Sequence, residues 1–526
     1  MAGKSDHSVD LSTAQVIEPV APADFLVIMP VVITVLAGAL CLMMRKQTDR
    51  QPYVALPALG LLFIVCLGLF QRLLETGQPI TMTMGRWLPP FGISFSVDLF
   101  GASFALVASF IALVVGIYAV VDISATNRRY GFYPFLLLMM TGVCGAFLTG
   151  DIFNLYVWFE VLLIASFGLI VLGSRPRQLD GAFKYAILNL IATTLFLVAT
   201  GYLYGVMGTL NMADIAQKAR AADLSGPMAT IGTLYVLAFI MKAAAFPVNF
   251  WLPASYHTPR IVVSAVFAGL LTKVGVYALM RIGVMLLPAA QSLTSGPLLW
   301  AAAATMLFGV LGALAQSDLR RLLGYLVVSG IGSMVMGIAL GDALGLAGAT
   351  FYAFHSMVVM TALYLAAGLL ADLNGGAYRL QELGGTYRRH PLFAATFLVL
   401  AFAVSGLPPF TGFWPKLMLT HAAIGAGLWW MAAAILVTGF LTTLAMGRVW
   451  IMAFWRGGPE GTADGTQLEF EPEETDWYRL GPILALTFFV VIYGLAPDYI
   501  MELVGFAARN LLEPGAYIDS VFGAAS

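Results

Sequence analysis

The chain has 526 residues, of which 60% are hydrophobic and only 10% charged. Soluble domains carry about a quarter charged residues, so this composition excludes an ordinary water-soluble fold. The formal net charge of −1 offers no basis for a nucleic-acid partner. Cys41, Cys66 and Cys144 lie in apolar segments without CxxC or CxxH spacing, so they read as packing residues. The sequence shows no iron–sulfur, haem or zinc ligand set, and no cofactor is expected.

Residues 1–23 are polar and lack a basic stretch followed by an apolar one, so they read as an exposed tail and not a cleaved signal. Beyond them, apolar runs long enough to cross a bilayer recur about fourteen times by the 20-residue criterion. They fall near 24–44, 53–71, 98–121, 130–149, 152–173, 181–206, 227–258, 260–287, 297–315, 320–340, 343–371, 391–425, 427–455 and 481–504. The expected fold is all-α and polytopic, one transmembrane domain over 24–504. The stretch 456–480 is expected to be an acidic cytoplasmic loop, and 505–526 a C-terminal tail. Residues 211–222 read as a short surface helix.

Two runs are too long. As straight helices, 227–258 and 391–425 would each extend roughly 45–50 Å, beyond the hydrocarbon core. The first contains FPVNFWLP, with Pro247 and Pro253; the second contains SGLPPFTGFWPK, with Gly406, Pro408 and Pro409. Both read as discontinuous helices. They are seventh and twelfth in order, an odd spacing that makes the second enter from the opposite face. That is the pattern of inverted repeats with paired broken helices.

Loops after odd-numbered spans carry Arg45, Lys46, Arg50, Arg128, Arg129, Arg175, Arg177, Arg260, Arg320, Arg321, Arg379, Arg388 and Arg389. Loops after even-numbered spans carry Arg72, Arg86, Lys218, Arg220 and Arg281. The excess of the first set places those loops in the cytoplasm and both termini outside.

Charges inside the spans are costly, about 2.5–3.5 kcal/mol each on insertion scales. Even so, Glu160 lies in span 5, Lys242 in span 7 before its break, Lys273 in span 8 and Lys416 after the break of span 12. His355 is in the middle of span 11. Each has a plain structural reading. Glu160 and Lys242 could be an ion pair, Lys273 a snorkelling lysine, His355 a satisfied core histidine and Lys416 the cap of a half-helix. Together they read differently. Three lysines and one glutamate would leave an excess of +2, which a low-dielectric interior resists. Lysines able to change charge are what a proton relay needs. The proline at 247 is expected to leave polar backbone free beside Lys242, in a hydrated pocket. Lys416 is expected near a half-helix N-terminus, where the dipole favours its neutral form.

The segments FIMKAAAFPVNFWLPASYHTP, LLTKVGVYAL, SDLRRLLGYLVVSGIG and GLPPFTGFWPKLML resemble the antiporter-like membrane proteins. That group includes the large pumping subunits of respiratory complex I, subunits of membrane-bound hydrogenases and the Mrp (multiple resistance and pH) Na+/H+ antiporters. WLPASY, TKVGVYA and GFWPKL are most similar to the Mrp type. The resemblance covers spans 3 to 13. It implies fourteen helices with inverted five-helix repeats over spans 4–8 (130–287) and 9–13 (297–455). It also implies that Glu160, Lys242, Lys273, His355 and Lys416 match the family's relay positions. Many relatives have histidine where Asn249 stands, a departure that puts a proton role there in doubt.

The expected function is therefore proton translocation within a multisubunit Na+/H+ antiporter of the cell membrane, with other subunits as partners and H+ and Na+ as transported ions. The competing expectation is a pumping subunit of a redox-driven complex. A stand-alone channel fits less well, since a channel needs no chain of titratable lysines.

Overall fold

The computed structural model describes residues 21–221, 225–458 and 474–523. The first twenty residues and most of the acidic 456–480 stretch lie outside them. Among the described residues, eleven helices are long and apolar enough to cross a membrane, and three shorter ones are apolar as well. Helices predominate for a physical reason. Away from water each backbone N–H and C=O must be satisfied within its own segment.

In chain order the helices begin with α1 (Met29–Met43) and α2 (Gln51–Thr76). An antiparallel hairpin follows, β1 (Ile80–Thr83) and β2 (Ser94–Val97), with Ile80 opposite Val97. Next come α3 (Leu99–Asp122), α4 (Phe132–Leu148), α5 (Ile152–Ile170) and α6 (Pro176–Met207). The short α7 (Met212–Ala221) is the surface helix expected over 211–222. The seventh apolar run divides into α8 (Ser225–Ala243) and α9 (Trp251–Tyr256). Then follow α10 (Ile261–Leu286), α11 (Pro288–Ala315), α12 (Leu319–Leu340) and α13 (Ala343–Leu373). The twelfth run divides into α14 (Pro391–Ser405) and α15 (Phe413–Gly425). Last come α16 (Trp429–Trp455), α17 (Trp477–Leu495), α18 (Asp498–Leu512) and α19 (Gly515–Phe522).

Both expected breaks are present, over residues 244–250 and 406–412. Phe246–Pro247 and Pro408–Pro409 are cis peptides. Aspartates start several helices. Asp98, Asp151, Asp318 and Asp342 each accept a backbone N–H three residues on, at α3, α5, α12 and α13.

The end of the chain departs from expectation. The run 481–504 is not one span: α17 ends at Leu495 and α18 starts at Asp498. Pro497 lies between them, and a proline cannot continue a helix hydrogen-bond ladder. Hydropathy hid the break because α18 keeps an apolar face, with Val504, Ala507, Ala508 and Leu511 buried. Residues 505–522, expected as a tail, are largely helical, and Tyr517 is buried.

Burial separates a centre from a periphery. The most apolar 18-residue window of α10 is wholly buried, and those of α12 and α13 are 94% and 83% buried, against 28% in α2. A helix apolar on every side and enclosed on every side belongs to the protein interior. The two broken helices pack against this centre, so charges carried on them or on α10 and α13 are sheltered by protein, while α5 packs between α4 and α6 with Phe159 against Phe239 of α8.

Candidate functional site

Lys242 stands in the last turn of α8, and only 5% of its surface is exposed. Its ammonium has no hydrogen-bond partner among the described residues and lies 5.3 Å from the centroid of the Phe159 ring. Glu160 follows Phe159 on α5 and is half-buried. A direct Glu160–Lys242 ion pair, the plain structural reading of these two charges, is not formed among the described residues, although the charge of Glu160 still acts on Lys242. The cation instead faces an aromatic ring, whose negative face is a weak substitute for a carboxylate.

Two carbonyls near the end of α8 gain donors at the first break, neither of them the Ala243 carbonyl that Pro247 is expected to free. The Trp251 indole donates to Met241 O at 3.1 Å, and Ala245 N donates to Ile240 O at 3.0 Å. Ala245 lies before the proline, whereas Trp251 reaches back from beyond it to the last turn of α8. Pro247 is itself exposed, whereas Pro253 is buried within α9.

Lys273 is fully buried, and its ammonium donates to Ala268 O at 2.6 Å. The helix around that carbonyl is a π turn, Phe267–Leu271. A π turn moves carbonyls off the α register and frees them for side chains. Gly275, one turn further, explains how α10 reaches the first break. A Cβ there would come within 2.9 Å of Ala243 N and 3.1 Å of Lys242 Cβ. Only glycine lets Lys242 and the Lys273 helix lie this close.

His355 is buried on α13, with its Nδ1 2.8 Å from the Thr411 hydroxyl. Thr411 sits in the second break, so that break delivers a polar partner to the histidine. The ring meets Tyr352 edge-on, at 5.7 Å between centroids. A Cβ at Gly412 would lie 3.0 Å from His355 Nε2. His355 is within Coulombic range of both Lys273 and Lys416. It also lines, with Thr411, an otherwise mostly apolar cavity of about 350 Å³.

Lys416 corrects a second expectation. Its Cα is in the first turn of α15, but the side chain turns back across the break. Nζ donates to Ser405 O at 2.7 Å and Val404 O at 3.5 Å, at the C-terminal end of α14. The amine therefore lies at carbonyls that end a half-helix, and the expected placement at a half-helix N-terminus does not hold for it. Gly406, at φ +84°, makes this possible: a Cβ there would be 2.5 Å from Lys416 Cδ.

One charged pair escaped sequence reading. Arg281, counted among loop residues, is inside α10 and 1% exposed. Its guanidinium makes two bonds of 2.6 Å to Asp98, which also caps α3. Arg281 further donates to the Tyr277 hydroxyl at 3.0 Å. The signal was available: an arginine in an apolar run and an aspartate at the start of another.

Residues 149–442 match the family described as NADH:quinone oxidoreductase/Mrp antiporter, membrane region. The D-type subunit of the Na(+)/H(+) antiporter of Alkalihalophilus pseudofirmus is 37% identical over 94% of this chain and 99% of its own length. The chain belongs to the family of D-type Mrp antiporter subunits. A chain in the structure of the Mrp complex from Dietzia sp. DQ12-45-1b superposes with a TM-score of 0.86, at 31% identity, over 95% of this chain and 99% of that one. A chain of respiratory complex I from Thermus thermophilus has a TM-score of 0.79 at 23% identity, over 92% and 99%, a likeness of fold alone. Members of this family are antiporter subunits, multi-pass membrane components of ion transport and not catalytic enzymes. Glu160, Lys242, Lys273, His355 and Lys416 all fall inside the matched region, as does Arg281, whereas Asp98 lies before it.

Proposed function

We propose that this chain carries the proton pathway of a multisubunit monovalent cation/H+ antiporter in the cell membrane, exchanging cytoplasmic Na+ for external H+. The likeness to a D-type Na(+)/H(+) antiporter subunit across 94% of the chain carries the reading. The buried groups support it. Protons would pass from the Glu160–Lys242 region to Lys273, then His355, then Lys416. The Gly275 contact joins the first two positions, and the Coulombic reach of His355 joins the last three.

In the same reading the chain crosses the membrane fourteen times with both termini outside. Its halves, 130–287 and 297–455, are inverted repeats, each with one broken helix. The arginines of the loops after odd-numbered spans support that orientation. A redox-driven pumping subunit shares the fold, but the relative covering 99% of its own length here is named an antiporter subunit.

The test is reconstitution of the purified complex, and of this chain alone, in pH-jump vesicles. Sodium-dependent proton flux is expected from the complex and not from the isolated chain. Absence of flux from the complex, or full flux from this chain alone, overturns the assignment.

A further inference from the structure

The cavity that His355 and Thr411 line, about 350 Å³, lies between α2, α3, α13, α17 and α18. Small ligands take pockets of roughly 300–1,000 Å³, so its size is that of a binding site. The lining runs from Phe63 to Phe70 on α2, from Ser103 to Phe110 on α3 and from Phe351 to Val358 on α13, each about 10 Å of helix. These stretches share one side of the molecule. The α2 stretch lies toward the end of that helix, the α3 stretch follows its start, and the β1–β2 hairpin joins the two. On α17 the lining residues Phe489 and Tyr493 precede the end at Leu495. The cavity is therefore a slot along the helices, from the hairpin side to the level of His355. One leaflet of a bilayer supplies hydrocarbon about 15 Å deep, half of the core, which is a similar length.

The slot offers little to water. Phe110 meets Phe63 at 5.8 Å and Phe489 at 4.6 Å between ring centroids. Ser103 donates to Leu99 O at 2.6 Å, and His355 and Thr411 bond each other. Tyr493 stands in the last turn of α17, and tyrosine is favoured at the membrane surface. A buried water needs two to four polar partners, so apolar matter suits this space better. The slot also has a way in from the side. α2 packs along α1 and α3, while α17 and α18 pack on α3 and α13. No comparable packing joins α2 to α17 or α18 among the described residues. Both helices bounding that gap carry apolar residues outward: Ile64 of α2 is 62% exposed and Phe488 of α17 is 59% exposed.

We infer that this slot is a lipid site, which takes one acyl chain of a membrane phospholipid from the leaflet on the hairpin side. The chain enters between α2 and α17, and its methyl end points toward His355. Lining, length and access all match that occupant. Dispersion contact with the aromatic walls holds the chain, and the lack of polar partners keeps water from competing. The inference goes beyond the antiporter reading, and the site stands without it. Within that reading the chain has a consequence: it forms a dry wall on one side of His355, so a proton on the imidazole has its exits toward Lys273 and Lys416 only.

The test is photo-crosslinking of the purified complex in phosphatidylcholine vesicles. A fraction of the phosphatidylcholine carries a diazirine near the methyl end of one acyl chain, and labelled residues are mapped by mass spectrometry. Labels are expected on Phe110 and Val358, inside the slot, as well as on the exposed Ile64. With the diazirine moved to the headgroup end of the chain, the slot labels should shift to Phe70 and Tyr493. Leu67→Trp and Val107→Trp fill the slot. Each should lower the Val358 label about tenfold, because a close-packed interior leaves no room for the chain, and keep the label on Ile64. Labels confined to exposed residues in the wild-type complex, as when an apolar side chain of another subunit fills the slot, overturn the inference. So do slot labels that ignore the position of the diazirine, a comparison that needs no variant to fold. Undiminished Val358 labelling in both filled variants overturns it as well. Sodium-dependent proton flux is a separate measurement: its loss from the wild-type complex would remove the antiporter reading and leave a labelled slot standing.

Discussion

Arg281 and Asp98 form a two-bond ion pair with both side chains at most 3% exposed, tying α10 to the start of α3. Tyr277 extends the tie, since its hydroxyl accepts from Arg281 and donates to Phe147 O at 2.8 Å. The Tyr517 ring of α19 stands 5.4 Å from the guanidinium carbon. The pair fixes the helix on which Lys273 rides. Removing one partner leaves a buried charge uncompensated, a loss of about 3–5 kcal/mol. Asp98→Asn should therefore lower the melting temperature and yield of the folded chain sharply. The double change Asp98→Asn with Arg281→Met should be milder than Asp98→Asn alone. Equal loss in both, read by thermal unfolding in detergent, would show that the charge is not what matters.

Thr411 positions His355. Thr411→Val keeps the side-chain shape and removes the 2.8 Å hydrogen bond. Exchange by the complex should fall severalfold with assembly unchanged, and Thr411→Ser should recover most of it. The split matters, because a merely structural threonine would lose assembly and exchange together.

Proline spacing and the 20-residue criterion made the two breaks legible, since both depend on local chain chemistry. What they could not show is where a side chain goes after the chain turns. Lys416 sits at a helix N-terminus in sequence, yet its amine lies at the C-terminus of the preceding half-helix. The reason is that Gly406 leaves room for the aliphatic stem to cross. Similarly, nothing local shows that Trp251 will reach Met241 O. Arg281 was misplaced because a window average cannot tell a loop arginine from one whose partner lies 183 residues away. Composition also concealed the stop at Pro497, where apolar character continues after the helix has ended.

Glu160→Ala should abolish exchange while the complex still assembles. The structure refines the reason. Among the described residues the Lys242 ammonium has no hydrogen-bond partner and faces the Phe159 ring, with Glu160 at a distance. Removing the carboxylate takes away the opposite charge that favours the ammonium form, and a lysine kept neutral cannot pass its proton onward. Normal cation-driven proton flux in a well-expressed Glu160→Ala complex would remove Glu160 from the pathway.

Lys273 is the middle position, fully buried and bonded to a single carbonyl. Lys273→Ala should eliminate exchange. Lys273→His should keep a fraction, since imidazole also gains and loses a proton. Asn249→Ala should be milder than either, because asparagine does not titrate. Vesicle assays of the three complexes side by side decide the order; an Asn249→Ala loss equal to Lys273→Ala would make the first break, and not the lysine, the sensitive element.

Gly406 tests Lys416 without altering it. At φ +84° the backbone is in the left-handed region, which costs a non-glycine residue about 1–2 kcal/mol. The added methyl of Gly406→Ala would also meet Lys416 Cδ at 2.5 Å, and the nearest relief is for the lysine to leave Ser405 O. Gly406→Ala should therefore reproduce much of the transport loss of Lys416→Ala with the lysine still present. Both changes should leave the Glu160–Lys242 end undisturbed, because α8 and α5 make no bond to this break among the described residues. Thermal unfolding separates the two contributions. A Gly406→Ala complex that is destabilised by the backbone term yet exchanges at the wild-type rate would mean that the hold of Lys416 on the α14 carbonyls is structural only.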